Sequence, residues 1–112
     1  MKWRLSRIIL LLMTGLAATA HAGTEISNTR QAELMNLLKQ DCGSCHGLTI
    51  KGGLGPALSP EALHGKPASM LREVVLRGRP GTPMPPWAPF LSETEADWLI
   101  EALLKGETNA HQ

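Results

Sequence analysis

The tightest constraint in this chain is six residues long. Positions 42 to 47 read Cys-Gly-Ser-Cys-His-Gly, and Cys42 and Cys45 are the only cysteines among 112 residues. A chain that places both thiols three apart, with His46 directly after the second, commits that segment to one of three chemistries. They are a redox dithiol, part of a zinc site, or covalent attachment of a haem. Each demands a different fold around it.

A redox dithiol sits at the start of a helix in a strand–helix–strand context, and no segment before Cys42 reads as a strand. A structural zinc site needs four ligands. Cys42, Cys45 and His46 offer three, while His64 in a loop and His111 in the tail are not spaced as a second pair. Haem attachment needs only what is present. Cysteines at i and i+3 on a helical turn point the same way, so each forms a thioether with one porphyrin vinyl group. The adjacent histidine then swings under the ring and brings Nε2 to the iron. The motif predicts one haem c bound through Cys42 and Cys45, with His46 as a metal ligand.

The amino end carries a second signal. Lys2, Arg4 and Arg7 precede an apolar run from Ile8 to Ala20, followed by Ala20-His21-Ala22. Basic, apolar and small residues in that order form a secretory signal peptide, with cleavage expected after Ala22. The run falls short of the roughly 20 residues of a membrane-spanning helix, and no Arg-Arg pair marks a twin-arginine route. The expectation is a cleaved signal peptide over residues 1–22 and a single domain over 23–112, exported to the periplasm by the general secretory route. Attachment of haem to cysteines, which takes place outside the cytoplasm, agrees with that address.

Composition enters here. From residue 23 onward, eight Lys and Arg stand against ten Asp and Glu, a formal −2, so there is no basic footprint for nucleic acid. The whole chain has one Phe, three Trp and no Tyr. So small a domain buries a modest share of its surface and needs help to be stable. Two cysteines three apart cannot staple it. A large, flat, apolar porphyrin fills the core instead.

The organisation after residue 23 is helical. Asn28-Thr29-Arg30-Gln31 has the form of a helix start, with a capping residue and Gln three positions on. Leu34, Met35, Leu37 and Leu38 then recur at helical spacing over Arg30 to Gln40. Residues 48–66 hold four Gly and two Pro and read as loop, with one short helical turn at Pro60 to Leu63. Pro67 fits a first helical position, and Met70, Leu71, Val74 and Val75 share a face up to Gly78. Residues 79–91 hold five prolines and exclude helix and central strand. Ser92 and Glu95 form a capping box. Ala96, Leu99, Ile100, Leu103 and Leu104 follow at i, i+3, i+4, i+7 and i+8, before Gly106 ends the helix.

An iron held by His46 has a second face. Met35, Met70, Met84, His64 and His111 are the candidates for it. Met35 and Met70 sit at helical positions suited to core packing, and Met35 is too near the attachment site to reach round. Met84 lies in Gly-Thr-Pro-Met-Pro-Pro-Trp, where prolines fix φ on both sides. That rigid mounting suits a metal ligand better than a gap-filling methionine. Met84 is therefore the expected second axial ligand. A thioether there favours the ferrous state and raises the potential.

These residues resemble a class I c-type cytochrome. The likeness rests on CGSCHG, GGLGPAL, GTPMPPW and the capped last helix, and it spans the chain after residue 22. It implies an all-α fold, with three main helices and long Gly/Pro-rich loops wrapped around one covalently bound haem. In that family the proline of a G-P-x-L segment offers its carbonyl to the other nitrogen of the proximal histidine. The resemblance thus assigns Pro56 to His46 and Trp98 to the aromatic of the last helix. Leu34 departs from the small residue usual eight positions before the first cysteine, and Leu38 stands where an aromatic is common. That departure predicts a wider or rotated crossing of the first and last helices.

Within the family, KGGLGPAL and RGRPGTPMPPWAPFLSETEADWL are similar to the NirC-type small periplasmic cytochromes, which are encoded with cytochrome cd-type nitrite reductase in denitrifying bacteria. The likeness implies a monomeric mono-haem electron carrier, not an enzyme, with that reductase as redox partner. A factor in haem d insertion or maturation, a generic carrier to another terminal enzyme, and a ligand sensor or enzyme in which Met84 leaves the iron are the alternatives. Residues 43–91 carry a balance of +3 and residues 92–112 one of −4. Such a dipole turns the haem side toward an acidic partner, with Pro85, Pro86 and Trp87 as an apolar rim.

Overall fold

Helix caps decide where each element of this chain begins. The computed structural model describes residues 25–108; the expected signal peptide and His111 lie outside them. Among the described residues there are five α-helices and no strand: α1 Asn28–Leu37, α2 Gly43–His46, α3 Pro60–Leu63, α4 Ala68–Arg77 and α5 Glu93–Lys105. The three main helices expected from sequence are α1, α4 and α5.

The capping box of α5 forms in both halves. Ser92 N–H donates to Glu95 Oε2 at 2.8 Å, and Glu95 N–H donates to Ser92 Oγ at 3.2 Å. The start of α1 differs from expectation by one residue. Ser27, not Asn28, is the cap, its hydroxyl accepting from Arg30 N–H at 3.2 Å. Gln31 instead donates its side-chain amide to Ile26 O at 2.9 Å. Serine and asparagine cap about equally well. The choice falls to Ile26, which packs on the core and fixes where the chain enters. Pro67 likewise caps α4 from outside: its ψ of 135° is extended, and Ala68 is the first helical residue. The short turn α3 lies where the sequence places it, with Ser59 Oγ accepting from Ala62 N–H at 3.4 Å.

The core gathers Leu34, Met35 and Leu38 from the first helix, Leu63 from α3, Leu76 from α4, and Ala96, Leu99, Ala102 and Leu103 from α5. Leu34 is completely buried, and so is Ala96. With bulk at position 34, α5 supplies the small residues, Ala96 and Ala102, to the same cluster. Two details of the expected apolar faces change. Leu104 is 36 % exposed, and Ala102 takes a buried place instead. Met70 is 41 % exposed. The side of α4 turned to α5 is marked by Arg72, which pairs with Asp97 at 2.8 Å. Leu71, Val75 and Leu76 lie on that side at helical spacing, and Met70 falls off it.

Arg30 ties the first and last helices together. Arg30 Nε donates to Glu95 Oε1 at 2.6 Å, and its other nitrogens reach Glu33 and the carbonyl of Phe90. One α1 guanidinium thus holds the first turn of α5 and the loop before it.

Candidate haem centre

The attachment motif is the end of the first helix, reached through an irregularity. Between α1 and α2, Leu38–Cys42 form a π-helical turn, and Gly43 N–H bonds Leu38 O five residues back. Such single turns are uncommon and concentrate at functional sites. The extra residue rotates the last turn relative to α1. Cys42 is left half-buried against the core and Cys45 exposed, both as free thiols. Burial, helped by the charge of Asp41, pushes the Cys42 thiol up to about 11. Redox dithiols work in the opposite direction, with a thiol lowered into the neutral range. Nor does any group of three or more His, Cys, Asp or Glu suited to a metal ion occur among the described residues.

His46 is oriented by the loop that follows it. Its Nδ1 lies 2.7 Å from the carbonyl oxygen of Pro56. A carbonyl only accepts, so Nδ1 carries the proton and Nε2 keeps its lone pair. The ring is thereby set as a donor through Nε2, the nitrogen a haem iron requires. Gly55 makes room for this. A Cβ there would lie 2.9 Å from Cε1 and Nδ1 of the ring, inside any ordinary contact.

The same loop is tied back to the attachment helix. Gly52 N–H donates to His46 O and Gly55 N–H to Cys45 O, both at 2.8 Å. At its turn Ile50 adopts a φ of 62° while only 3 % exposed. A left-handed conformation costs an L-residue about 1–2 kcal/mol, and a β-branched one is a true outlier there.

Met84 is on a separate loop, braced against α4. Trp87 N–H caps Val75 O at 3.0 Å and Ala88 N–H caps Leu76 O at 3.1 Å. Within the loop, Arg79 N–H donates to Met84 O at 3.1 Å, and Thr82 Oγ1 bonds Arg79 O at 2.7 Å. The chain passes so close over Gly78 that a Cβ there would stand 2.7 Å from Met84 O and 2.8 Å from the Pro85 carbonyl carbon. Gly78 has a φ of 69° as well, so both space and backbone call for glycine. Met84 itself is half-buried.

Of the other axial candidates, Met35 is buried in the core at 6 % exposure, while His64 and Met70 are exposed. A cavity of about 310 Å³, bordered by Glu73, Leu76, Arg77, Ala88 and Glu93, meets the brace of the Met84 loop but none of Cys42, Cys45, His46, Pro56 and Met84. Cys42, Cys45, His46 and Pro56 stand together on one hydrogen-bonded unit, with Met84 on its own mount. That donor set, two free thiols, an imidazole with a free Nε2 and a thioether, fits haem c. No residue preference in the sequence marks the π-helical turn or the strained Ile50.

Comparison with known proteins agrees. The family model described as cytochrome c oxidase, cbb3-type, subunit III matches residues 29–101. The chain is a c-type cytochrome. Cytochrome c55X of Pseudomonas aeruginosa is 65 % identical over 78 residues, covering 70 % of this chain and 66 % of that protein. The solved structure of the c-type cytochrome NirC superimposes with a TM-score of 0.72 at 61 % identity, over 73 % of this chain and 96 % of that one. The dihydro-heme d1 dehydrogenase of Pseudomonas aeruginosa is 43 % identical over 67 residues, covering 60 % of this chain but 14 % of that protein. Membership brings with it covalently attached haem c and electron transfer in place of catalysis. Among the described residues, no helix of this cytochrome is long and apolar enough to cross a membrane.

Proposed function

We propose that this cytochrome is a periplasmic carrier of single electrons to, or for, a cytochrome cd-type nitrite reductase. Its haem is bound through Cys42 and Cys45, with iron ligated by His46 Nε2 and the sulfur of Met84. Residues 1–22 act as its cleaved export signal. The observation that carries the reading is the bond from His46 Nδ1–H to Pro56 O, 2.7 Å long. It leaves the ring one free nitrogen, Nε2, which is the one an iron would take.

The bound haem supplies a one-electron couple. The chain's own residues set its conditions. Met84 rides on a proline-locked loop braced to α4, so its sulfur moves little when charge changes. Pro56 strengthens His46 as a donor. Lys51 and Arg79 are exposed on the loops that flank these ligands and favour approach of an acidic partner.

The test is a stopped-flow experiment with purified nitrite reductase. Reduced cytochrome should be oxidised in a single exponential whose rate climbs with reductase concentration and falls with salt. Failure to exchange electrons, with the reductase active toward another donor, contradicts the partner. A second reading, a role in forming haem d, draws support from the likeness to the dihydro-heme d1 dehydrogenase. Disruption of the chromosomal copy separates the two. A maturation role predicts nitrite reductase lacking its haem d, and a carrier role predicts complete but underfed enzyme.

A further inference from the structure

We propose that Ile50, a residue with no chemistry of its own, is a positioning residue for the imidazole of His46, acting through the carbonyl of Pro56. The inference rests on the reading of His46 as the iron's proximal ligand. Among the described residues Ile50 is the one non-glycine with positive φ. It is also β-branched, the side-chain type worst suited to that conformation. Residues held in such conformations persist only where their surroundings over-determine them, and they gather at functional sites.

What over-determines Ile50 is visible. Its side chain is part of the buried core, 3 % exposed. Its N–H donates to Gly47 O at 2.8 Å, and its carbonyl accepts from Leu58 N–H at 2.9 Å. The left-handed turn at Ile50 is what aims that carbonyl at Leu58 while the side chain stays in the core. Leu58 lies two residues past Pro56. Gly55, one residue before Pro56, donates to Cys45 O at 2.8 Å. Pro56 is thus clamped on both flanks, by the attachment helix on one side and by Ile50 on the other. Its carbonyl is held 2.7 Å from His46 Nδ1 as a result.

That bond governs how much negative character the imidazole carries, and so how well it supports ferric over ferrous iron. Loosening the clamp weakens the donor, and the reduction potential rises. Ile50→Gly frees the loop while removing the conformational conflict. Ile50→Val keeps the branch and most of the apolar bulk. Leu63→Ala removes buried volume from the same cluster without touching the clamp.

The full-length holoprotein of each variant is titrated for its potential, and proton exchange is followed by NMR. Ile50→Gly should raise the potential and speed exchange of both Leu58 N–H and His46 Nδ1–H. Ile50→Val should leave all three near wild type. Leu63→Ala should lower thermal stability with no change in potential. An Ile50→Gly protein that melts earlier at unchanged potential overturns the inference, as does a Leu63→Ala protein whose potential shifts equally. Should Ile50→Gly yield no holoprotein, wild type alone decides. Protection factors of the two protons that agree within about ten-fold mark one opening event, and a wider gap refutes the clamp. A wild-type spectrum lacking low-spin histidine ligation would overturn the function proposed above and this inference together. A normal spectrum with an unmoved Ile50→Gly potential overturns this inference alone.

Discussion

The two loops that flank the expected haem site are built on different principles. The first, residues 47–58, is bound into the attachment helix by backbone hydrogen bonds from Gly52 and Gly55, and one of its turns is strained at Ile50. The second, residues 78–91, is stiffened from within by prolines and bonds α4 through the N–H groups of Gly78, Trp87 and Ala88, with Trp87 and Leu91 packed on the core. The proximal side is therefore continuous with the helix that carries the cysteines. The distal side is a loop mounted on α4 and stiffened by its own prolines. An electron carrier benefits from both: a proposed proximal ligand carried by the attachment helix, and a proposed distal one held by a proline-rich loop.

The sharpest way to break this comparison is to remove the proposed distal ligand. Met84→Ala should lower the potential by a sizeable part of the roughly 0.8 V range that axial ligands span. The reduced variant should bind carbon monoxide at neutral pH, yet melt close to wild type. Redox titration and a thermal scan check both halves. A large loss of stability would mean that the loop is not held by α4 and its prolines alone.

Next come the two close-approach glycines. Gly55→Ala and Gly78→Ala each force a Cβ against atoms under 3.0 Å away and should cost about 1–3 kcal/mol. Their consequences should diverge. Gly55→Ala displaces His46 and should reduce the yield of low-spin holoprotein. Gly78→Ala displaces the Met84 backbone and should leave haem attachment intact while the sulfur–iron band weakens. Pyridine haemochrome assays and visible spectra separate these outcomes, and identical behaviour would erase the distinction between the loops.

Much of this was legible because single residue types enforced it. Ser92 and Glu95 admit one local structure, and the helix behind them follows. Prolines in 79–91 exclude regular elements whatever else surrounds them. His46 and Pro56 were paired only by family resemblance, since nine residues of Gly-rich loop separate them and nothing in their spacing fixes the path. The π-helical turn at Leu38–Cys42 stayed hidden because it answers to tertiary demands. It turns Cys42 toward the core while Leu38 stays buried, and no residue preference marks that. The orientation of α4 was hidden for a related reason: Leu71, Val75 and Leu76 turn to the core while Met70, equally apolar, is left off that side.

Smaller effects should fall on neither loop. Glu95 is held below the ordinary glutamate range by Arg30 and by the Ser92 backbone. Its folded pKa is the lower one, so its contribution to stability is complete above about pH 4.3. That contribution is lost as pH falls through the folded value. Glu95→Gln keeps the capping geometry, loses the ion pair, and should flatten the acid limb of a stability–pH curve. Ser92→Ala should cost about 1 kcal/mol by denaturant titration. Neither variant should move the potential; if either does, the α5 start is coupled to the site.

The most direct test of the central claim is the proton NMR spectrum of the reduced holoprotein. A methionine bound to haem iron holds its methyl group over the porphyrin face, where the ring current shifts it far upfield of any ordinary methyl. The account predicts one such three-proton resonance, absent from Met84→Ala and retained in Met35→Leu and Met70→Leu. An upfield methyl that survives Met84→Ala, or a wild-type spectrum with none, would contradict an iron held between His46 and Met84.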